Sequence, residues 1–319
     1  MKGAPYLVAG ILLAFLAALS SCAGVQAASA EEYYNLGIAY YDLGKFAEAE
    51  RWFQKAARAD KTRVASEYNL GRIAYETGKA EEAARIFERL LEKDGDNVVT
   101  LKAAAFARLK NGDFEKAAAH YERVVTLLPE TEDATYNYAL VLHGMKQDER
   151  ALEILGPLLI RHPEDADALL LRARVEKSLG RPEAVDSYAA RLERGDDPVI
   201  RREFAEACEA AGLYVRAVES YDLILKAGKA DAAGVGRGVV RFAKARALLI
   251  AGGEGLGDGG LKELETALAE GFKDRTALDA LVADDRVAAK EEVARIVDAA
   301  GKQAEEKPAA PAEDAGAAE

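Results

Sequence analysis

Apolar positions recur with helical spacing between about Ala30 and Asp231. Within the segment from Tyr33 to Lys61, two apolar sets flank a glycine, Gly44, and the members of each set lie three or four residues apart. Apolar residues at this spacing form a stripe along one side of an α-helix. The segment therefore predicts two helices whose stripes face each other across a short turn. The first stripe contains Tyr33, Leu36 and Tyr40, and the second contains Ala49, Phe53 and Ala56.

This register returns with a period of about 34 residues, giving six copies in phase. A glycine suits the turn because it adopts a left-handed backbone easily. Gly37 and Ala49 are small residues, and we expect the two helices to approach each other closely at these positions. The turn position is occupied in successive copies by Gly44, Gly78, Gly112, Lys146, Gly180 and Gly212.

The sequence of each copy resembles the tetratricopeptide repeat. That repeat has an aromatic residue, then Leu-Gly, a second aromatic residue, and later a small residue followed by another aromatic residue. The resemblance covers residues 30–231, roughly two-thirds of the chain. It implies an all-α solenoid, a right-handed superhelix of antiparallel helix pairs with helices capping its C-terminal end. The first helix of each pair would line an inner concave wall, and each pair would be stabilised by its neighbours.

After residue 231 the pattern loosens, and we interpret residues 232–301 as a degenerate seventh repeat followed by capping helices. Residues 252–260 contain six glycines in nine positions, which predicts a lengthened turn without regular structure. The same glycines spell G-x-G-x-x-G, but a phosphate cradle needs a preceding strand, and the preceding residues have a helical pattern. Residues 302–319, rich in alanine, glutamate and proline, are predicted to be disordered.

The N-terminal residues 1–21 have the features of an export signal, with Lys2 before a short apolar run. The run ends in Leu19-Ser20-Ser21-Cys22, which resembles a bacterial lipobox. This resemblance implies that Cys22 carries lipid and anchors the protein in a bilayer, with residues 22–29 as a tether. In the lipoproteins that this segment resembles, aspartate after the cysteine favours retention in the inner membrane, so Ala23 at this position implies the outer membrane. The alternative is an ordinary signal cut after Ala27 or Ala28, with Cys22 unmodified.

Composition argues against several classes of function. The formal net charge is −12, which disfavours nucleic acid as a partner. Two cysteines and three widely spaced histidines give no disulfide framework and no metal-ligand spacing. We expect Cys208 to be a buried, inert thiol, and His120 and His143 to be half-buried on helices. The sequence predicts no cofactor, no metal and no catalytic activity.

The resemblance implies that ligand contacts come from inward-facing positions on the first helices. Aromatic side chains with polar tips suit such a groove, because they bury area at low entropic cost. The alternative is that some of these tyrosines only pack between adjacent helices. Asn35, Asn69, Asn137 and Lys102 match positions of a carboxylate clamp, but Tyr34 stands where that clamp needs a base. The predicted partner-binding groove comprises Tyr34, Tyr41, Tyr68, Arg72, Tyr75, Lys102, Phe106, Tyr136, Leu140 and His143.

These features favour a lipid-anchored scaffold of the bacterial cell envelope that faces the periplasm and binds a segment of an envelope protein. One alternative is an accessory protein of a periplasmic solute-transport system, which would hold a small apolar ligand in a closed pocket. A second is an enzyme whose repeats only present a separate catalytic domain. Residues 232–301 are too short and too helical to resemble such a domain.

Overall fold

A computed structural model of the chain describes residues 29–228, 236–253 and 255–306. These residues form sixteen helices and no strand, which confirms the all-α prediction. Within the same ranges, no helix combines the length and the apolar character needed to cross a bilayer. The predicted export signal, Cys22, the tether before Ser29 and the tail beyond Glu306 lie outside the described residues.

The helices follow one another in chain order as pairs joined by short turns. In the first half of the chain they are α1 (Ala30–Asp42), α2 (Phe46–Ala56), α3 (Asp60–Glu76), α4 (Ala80–Leu91), α5 (Val98–Lys110), α6 (Phe114–Leu127), α7 (Glu132–Gly144) and α8 (Asp148–Arg161). The second half contains α9 (Ala166–Ser178), α10 (Ala184–Glu193), α11 (Pro198–Ala210), α12 (Tyr214–Lys226), α13 (Arg237–Ala251), α14 (Leu256–Ala269), α15 (Arg275–Ala283) and α16 (Lys290–Glu306).

The turns inside the pairs have the backbone that the glycine register predicts. The five turn glycines adopt φ values between 67° and 79°, and Lys146 adopts φ 61° in the fourth copy. A left-handed backbone costs a residue with a side chain more than it costs glycine. Lys146 therefore keeps the geometry of the repeat against its own preference.

The chain divides into two compact units, and the first ends at Val141. Its core contains one large aromatic residue from each second helix: Phe53, Phe87 and Tyr121 are all almost fully buried. Gly37 and Gly71 lie against two of these rings. A Cβ atom added to Gly71 would stand 2.6 Å from Phe87 Cε1, and one added to Gly37 the same distance from Phe53 Cε1. The first helices need glycine where the facing ring touches their backbone, as predicted for Gly37.

The second unit begins at Leu142 and contains two hydrophobic clusters. One cluster is formed by α9 to α13 around the buried rings of Tyr188 and Tyr221. The other joins α13 to α16, and in it the rings of Phe242 and Phe272 stack with centroids 4.2 Å apart. The last two helices thus bury apolar residues against the α13–α14 pair.

The prediction of an irregular segment over residues 252–260 is wrong in its second half, because α14 already begins at Leu256. Packing explains the glycines there. A Cβ atom at Gly260 would stand 2.7 Å from Leu249 Cγ and 3.2 Å from the Ala245 carbonyl oxygen. Glycine therefore lets α14 approach α13 at a distance that any side chain would prevent.

The C-terminal helix is also longer than its pattern predicts. The sequence predicts that the capping helices end by residue 301, whereas α16 starts at Lys290 and continues to Glu306. It therefore extends five residues into the segment expected to be a disordered tail. Its buried residues Val293 and Val297 belong to the cluster shared with α13, α14 and α15.

Candidate functional site

The first helices of consecutive pairs adjoin in the first unit, where α3 contacts both α1 and α5. Nine of the ten predicted groove residues lie on these helices or on the part of α7 before Leu142, and we call this surface the first-unit wall. It comprises Tyr34 and Tyr41 on α1, Tyr68, Arg72 and Tyr75 on α3, Lys102 and Phe106 on α5, and Tyr136 and Leu140 on α7. The tenth residue, His143, belongs to the second unit.

A buried amide connects α1 and α3 on this wall. Asn69 Nδ2 donates to Tyr34 Oη at 3.2 Å and to the Ala65 carbonyl oxygen at 2.9 Å. Its Oδ1 accepts from Arg72 Nη1 at 3.0 Å. The Arg72 guanidinium in turn lies over the Tyr41 ring, 4.3 Å from its centroid. Tyr34, Asn69, Arg72 and Tyr41 thus form one connected row of side chains.

Two tyrosines of the wall, Tyr41 and Tyr75, have raised pKa values. Burial raises the pKa of Tyr41, and the Glu76 carboxylate raises it further while Arg72 opposes the change. Burial also raises the pKa of Tyr75, again with a contribution from Glu76. Since the ordinary tyrosine pKa is already about 10, both side chains remain phenols that can donate and accept hydrogen bonds at neutral pH.

An aromatic pair with one exposed ring lies between α3 and α5. The rings of Tyr75 and Phe106 have centroids 5.3 Å apart, and Phe106 remains 45% exposed. A phenylalanine with this much surface in water is an available apolar contact. Lys102, one turn earlier on α5, forms an ion pair with Asp133 at the start of α7. Its positive charge is therefore partly compensated within the chain.

Two of the predicted tyrosines also pack into the core. The Tyr34 ring meets Phe53 edge-on with centroids 5.6 Å apart, and the Tyr68 ring meets Phe87 at 5.3 Å. Both tyrosines are half-buried, as is Leu140 on α7. For Tyr34 and Tyr68 the packing interpretation and the groove interpretation apply together, because each ring combines core contact with a partly exposed surface.

His143 has a hydrogen-bond partner within the second unit. Its Nδ1 lies 2.6 Å from Asp148 Oδ1. Burial raises the pKa of Asp148, but hydrogen bonds from Ser178 and His143 outweigh it, and the net pKa is lowered. The contact joins the end of α7 to the start of α8, where it stabilises the turn that contains Lys146.

Cys208 and His120 have the burial that the sequence analysis predicts. Cys208 is fully buried, and burial raises the pKa of its thiol to about 11, so it is not a reactive thiolate. His120 is half-buried and lies 3.5 Å from Glu88. Among the described residues, no group of three histidine, cysteine, aspartate or glutamate side chains could hold a metal ion.

The sequence analysis missed several connections in the first unit. Asn69 was considered only for a carboxylate clamp, and Glu76 was not considered at all. A buried ion network was also missed, in which Arg108 donates to Glu88 Oε1 at 2.7 Å and to Glu81 Oε2 at 2.8 Å. The available signal was weak: Asn69 lies one helical turn before Arg72, a spacing that permits contact but does not require it.

Comparison with known proteins supports the same architecture. Sequence models of the tetratricopeptide repeat match residues 108–175 and residues 16–64 and 34–98. No curated protein matches the sequence. A tetratricopeptide repeat protein from Parabacteroides merdae has 20% identity and a TM-score of 0.56, over 79% of this chain and 97% of its own. MamA from Desulfovibrio magneticus RS-1 has 19% identity and a TM-score of 0.50, over 54% and 97%.

At these identities the two structures bear on the fold alone. The matched repeats, the left-handed turns and the helix pairs nevertheless agree over the part of the chain that the structure describes. Residues 16–98 and 108–175 match the tetratricopeptide repeat in sequence, and the described helices have the fold of tetratricopeptide repeat proteins.

Proposed function

We propose that this protein is a lipid-anchored, non-enzymatic interaction scaffold of the bacterial cell envelope, held at the outer membrane and facing the periplasm. Its first-unit wall would bind a segment of an envelope protein. The observation that carries the proposal is the exposed ring of Phe106, paired with the half-buried Tyr75, beside the fixed row of Tyr34, Asn69, Arg72 and Tyr41.

The chemistry of the wall suits a polypeptide segment. Phe106 offers apolar area, while the neutral phenols of Tyr41 and Tyr75 offer hydrogen bonds near the backbone of a bound chain. Arg72 and Glu76 add one charge of each sign within the same turns of α3. Aromatic and arginine side chains of this kind dominate binding energies at protein interfaces.

The proposed anchor rests on the lipobox resemblance and on where the fold begins. Ser29 caps α1 through a capping box with Glu32, so regular structure starts directly after the predicted tether. An extended chain spans at most about 3.5 Å per residue, so α1 would start within about 25 Å of a lipid on Cys22. The first unit would then lie close to the bilayer surface.

A photo-crosslinking amino acid at position 106 tests partner binding. In intact cells we expect a discrete adduct with one envelope protein, because the ring of Phe106 is the exposed apolar element of the wall. The matched control places the same amino acid at Ile160, which is 83% exposed on α8. Replacing Arg72 by alanine should reduce the adduct, since the row next to it would lose its central cation.

Adducts of equal yield at positions 106 and 160 would contradict a specific wall. So would an adduct at position 106 that is unchanged when Arg72 is replaced and is lost when Ile160 is replaced by serine. A membrane-associated protein that forms no adduct at position 106 under any growth condition would reject the scaffold while leaving the anchor intact.

A further inference from the structure

The first helix pair carries a second aromatic surface away from the first-unit wall. The rings of Tyr33 on α1 and Trp52 on α2 stack with centroids 5.7 Å apart and an angle of 23°. The Lys55 ammonium lies over both rings, 4.2 Å from the Trp52 centroid and 5.5 Å from that of Tyr33. Trp52 is the single tryptophan of the sequence.

This stack borders an open cleft of about 420 Å³ with a basic lining. Three cations line the cleft against one carboxylate, although the whole chain has a net charge of −12. Within the described residues, no ion pair involves Arg51 or Arg58, and both side chains are exposed. The lining residues are Tyr40, Glu48, Arg51, Trp52, Gln54, Lys55 and Arg58, which we call, together with Tyr33, the basic aromatic face.

We propose that the basic aromatic face rests on an anionic phospholipid bilayer. This inference depends on the proposed lipid anchor, which would hold the first helix pair within reach of the membrane. Tryptophan and tyrosine concentrate at membrane–water interfaces, where the ring enters the apolar boundary and the polar edge stays hydrated. Arginine and lysine beside such rings bury their aliphatic stems and direct their charges to lipid phosphates.

The local charge of this face, which is opposite in sign to that of the whole chain, favours contact with an anionic surface. The cations of this face would be attracted to an anionic lipid such as phosphatidylglycerol. The rest of the protein surface, which is acidic, would be repelled by the same lipid. Each basic residue near an anionic surface shifts the docking equilibrium about fivefold. Removing Arg51 and Arg58 would therefore reduce the docked population about 25-fold, and charge reversal would reduce it further.

The fluorescence of Trp52 can report contact between the basic aromatic face and lipid. The full-length, processed protein is reconstituted into vesicles of phosphatidylcholine alone, or of phosphatidylcholine with phosphatidylglycerol, each with the same fraction of lipid brominated high in the acyl chain. We expect quenching of Trp52 fluorescence in the phosphatidylglycerol vesicles and little in the others. High salt should abolish the quenching, because it screens charges at a surface.

The variant Arg51→Glu/Arg58→Glu should lose the quenching. The matched variant Arg150→Glu/Arg161→Glu makes the same change of charge at two exposed arginines of α8 and should keep it. Equal quenching in both kinds of vesicle, or no difference between the two variants, would overturn the proposal. Mass spectrometry of the same sample decides the anchor separately, because an unmodified Cys22 contradicts acylation whatever the fluorescence shows.

Discussion

Lys146 occupies a turn at which five equivalent positions carry glycine, and its φ of 61° is left-handed. In that conformation the Cβ atom of an L-residue approaches the following carbonyl oxygen, which costs roughly 1–2 kcal/mol. Glycine avoids this cost, but it also loses more conformational entropy when the chain folds. The balance between the two effects decides which residue is the more stable at the turn.

We expect Lys146→Gly to raise the free energy of unfolding by about 0.5–1 kcal/mol, because relief of the strained backbone outweighs the entropy lost. Denaturant unfolding of the parent and the variant measures the difference. The reverse change is Gly112→Ala, at a turn where an added Cβ meets no atom within 4 Å. It should destabilise by a similar amount, and a neutral result for both variants would contradict the strain.

Protonation of one half-buried histidine, His120, should make stability depend on pH. Burial lowers the pKa of His120 despite its neighbour Glu88. The unfolded chain, with a histidine pKa of about 6.5, therefore binds a proton before the folded chain does as the pH falls. Stability from His120 is complete above that pH and declines below it.

We expect the denaturant concentration at the unfolding midpoint of the parent to decrease as the pH is lowered from about 7 to about 5.5. The His120→Gln variant should show a smaller decrease. Glutamine keeps a polar side chain of similar length but does not titrate. His162→Gln is the control, since His162 lies in the second unit at the end of α8. A slope that stays the same in His120→Gln would remove His120 as its cause.

Helices in this protein approach each other where glycine meets a ring or a carbonyl group. Gly37 and Gly71 accept the rings of Phe53 and Phe87, and Gly260 accepts Leu249. Ridges of one helix enter grooves of the other most deeply where no side chain intervenes. The pairing of elements is thus encoded at a few positions, each of which has a specific neighbour.

The pair of Gly71 and Phe87 allows a direct test. Gly71→Ala should destabilise by about 1–3 kcal/mol, because its Cβ would stand 2.6 Å from the Phe87 ring. Phe87→Leu should destabilise by a similar amount through lost contact. In the double variant the smaller side chain makes room for the methyl group, so the combined loss should be smaller than the sum of the two.

Unfolding of the four proteins in a double-mutant cycle gives the coupling energy. Strict additivity would show that the ring moves away from the added methyl group without cost. Gly78→Ala provides the comparison with a turn glycine, where an added Cβ meets nothing within 4 Å and only the backbone conformation is affected.

The elements were predictable to the extent that they depend on local spacing. The turn glycines and the aromatic stripes predict the helix pairs, because both are periodic along the chain. The start of α14 at Leu256 was not predictable, because glycine is a poor helix former on its own and only contact with Leu249 explains Gly260. The Tyr34–Asn69 bond was missed for a related reason, since it joins residues 35 apart on different helices.

At the scale of the whole molecule, the resemblance to a lipobox and the acidic composition bear on the proposed location of the protein at a membrane. A net charge of −12 would keep most of the protein away from anionic lipids, so that attachment would depend on Cys22 and on the basic aromatic face. Stable attachment generally requires more than one acyl chain or an acyl chain with a basic patch.

We expect Cys22→Ser to move the exported protein from the membrane fraction to the soluble fraction and to abolish incorporation of labelled fatty acid, because the thiol is the atom that would accept the lipid. Cys208→Ser is the control, since that thiol is buried and should not affect fractionation. An unprocessed Cys22→Ser protein that keeps its export signal would be distinguished by its mass. Equal labelling of the Cys22→Ser variant and the parent would reject the anchor.

The amide of Asn69 has consequences for how a partner would be met. Both of its functional atoms are engaged, the nitrogen with Tyr34 and the Ala65 carbonyl and the oxygen with Arg72. Rotating the amide by half a turn would place its oxygen against the Ala65 carbonyl oxygen and its nitrogen against the Arg72 guanidinium, so these two contacts fix the orientation of the side chain. The Tyr34 hydroxyl and the Arg72 guanidinium would already have their bound positions before a partner segment binds. The association rate would then be limited by diffusional encounter and not by rearrangement of the surface.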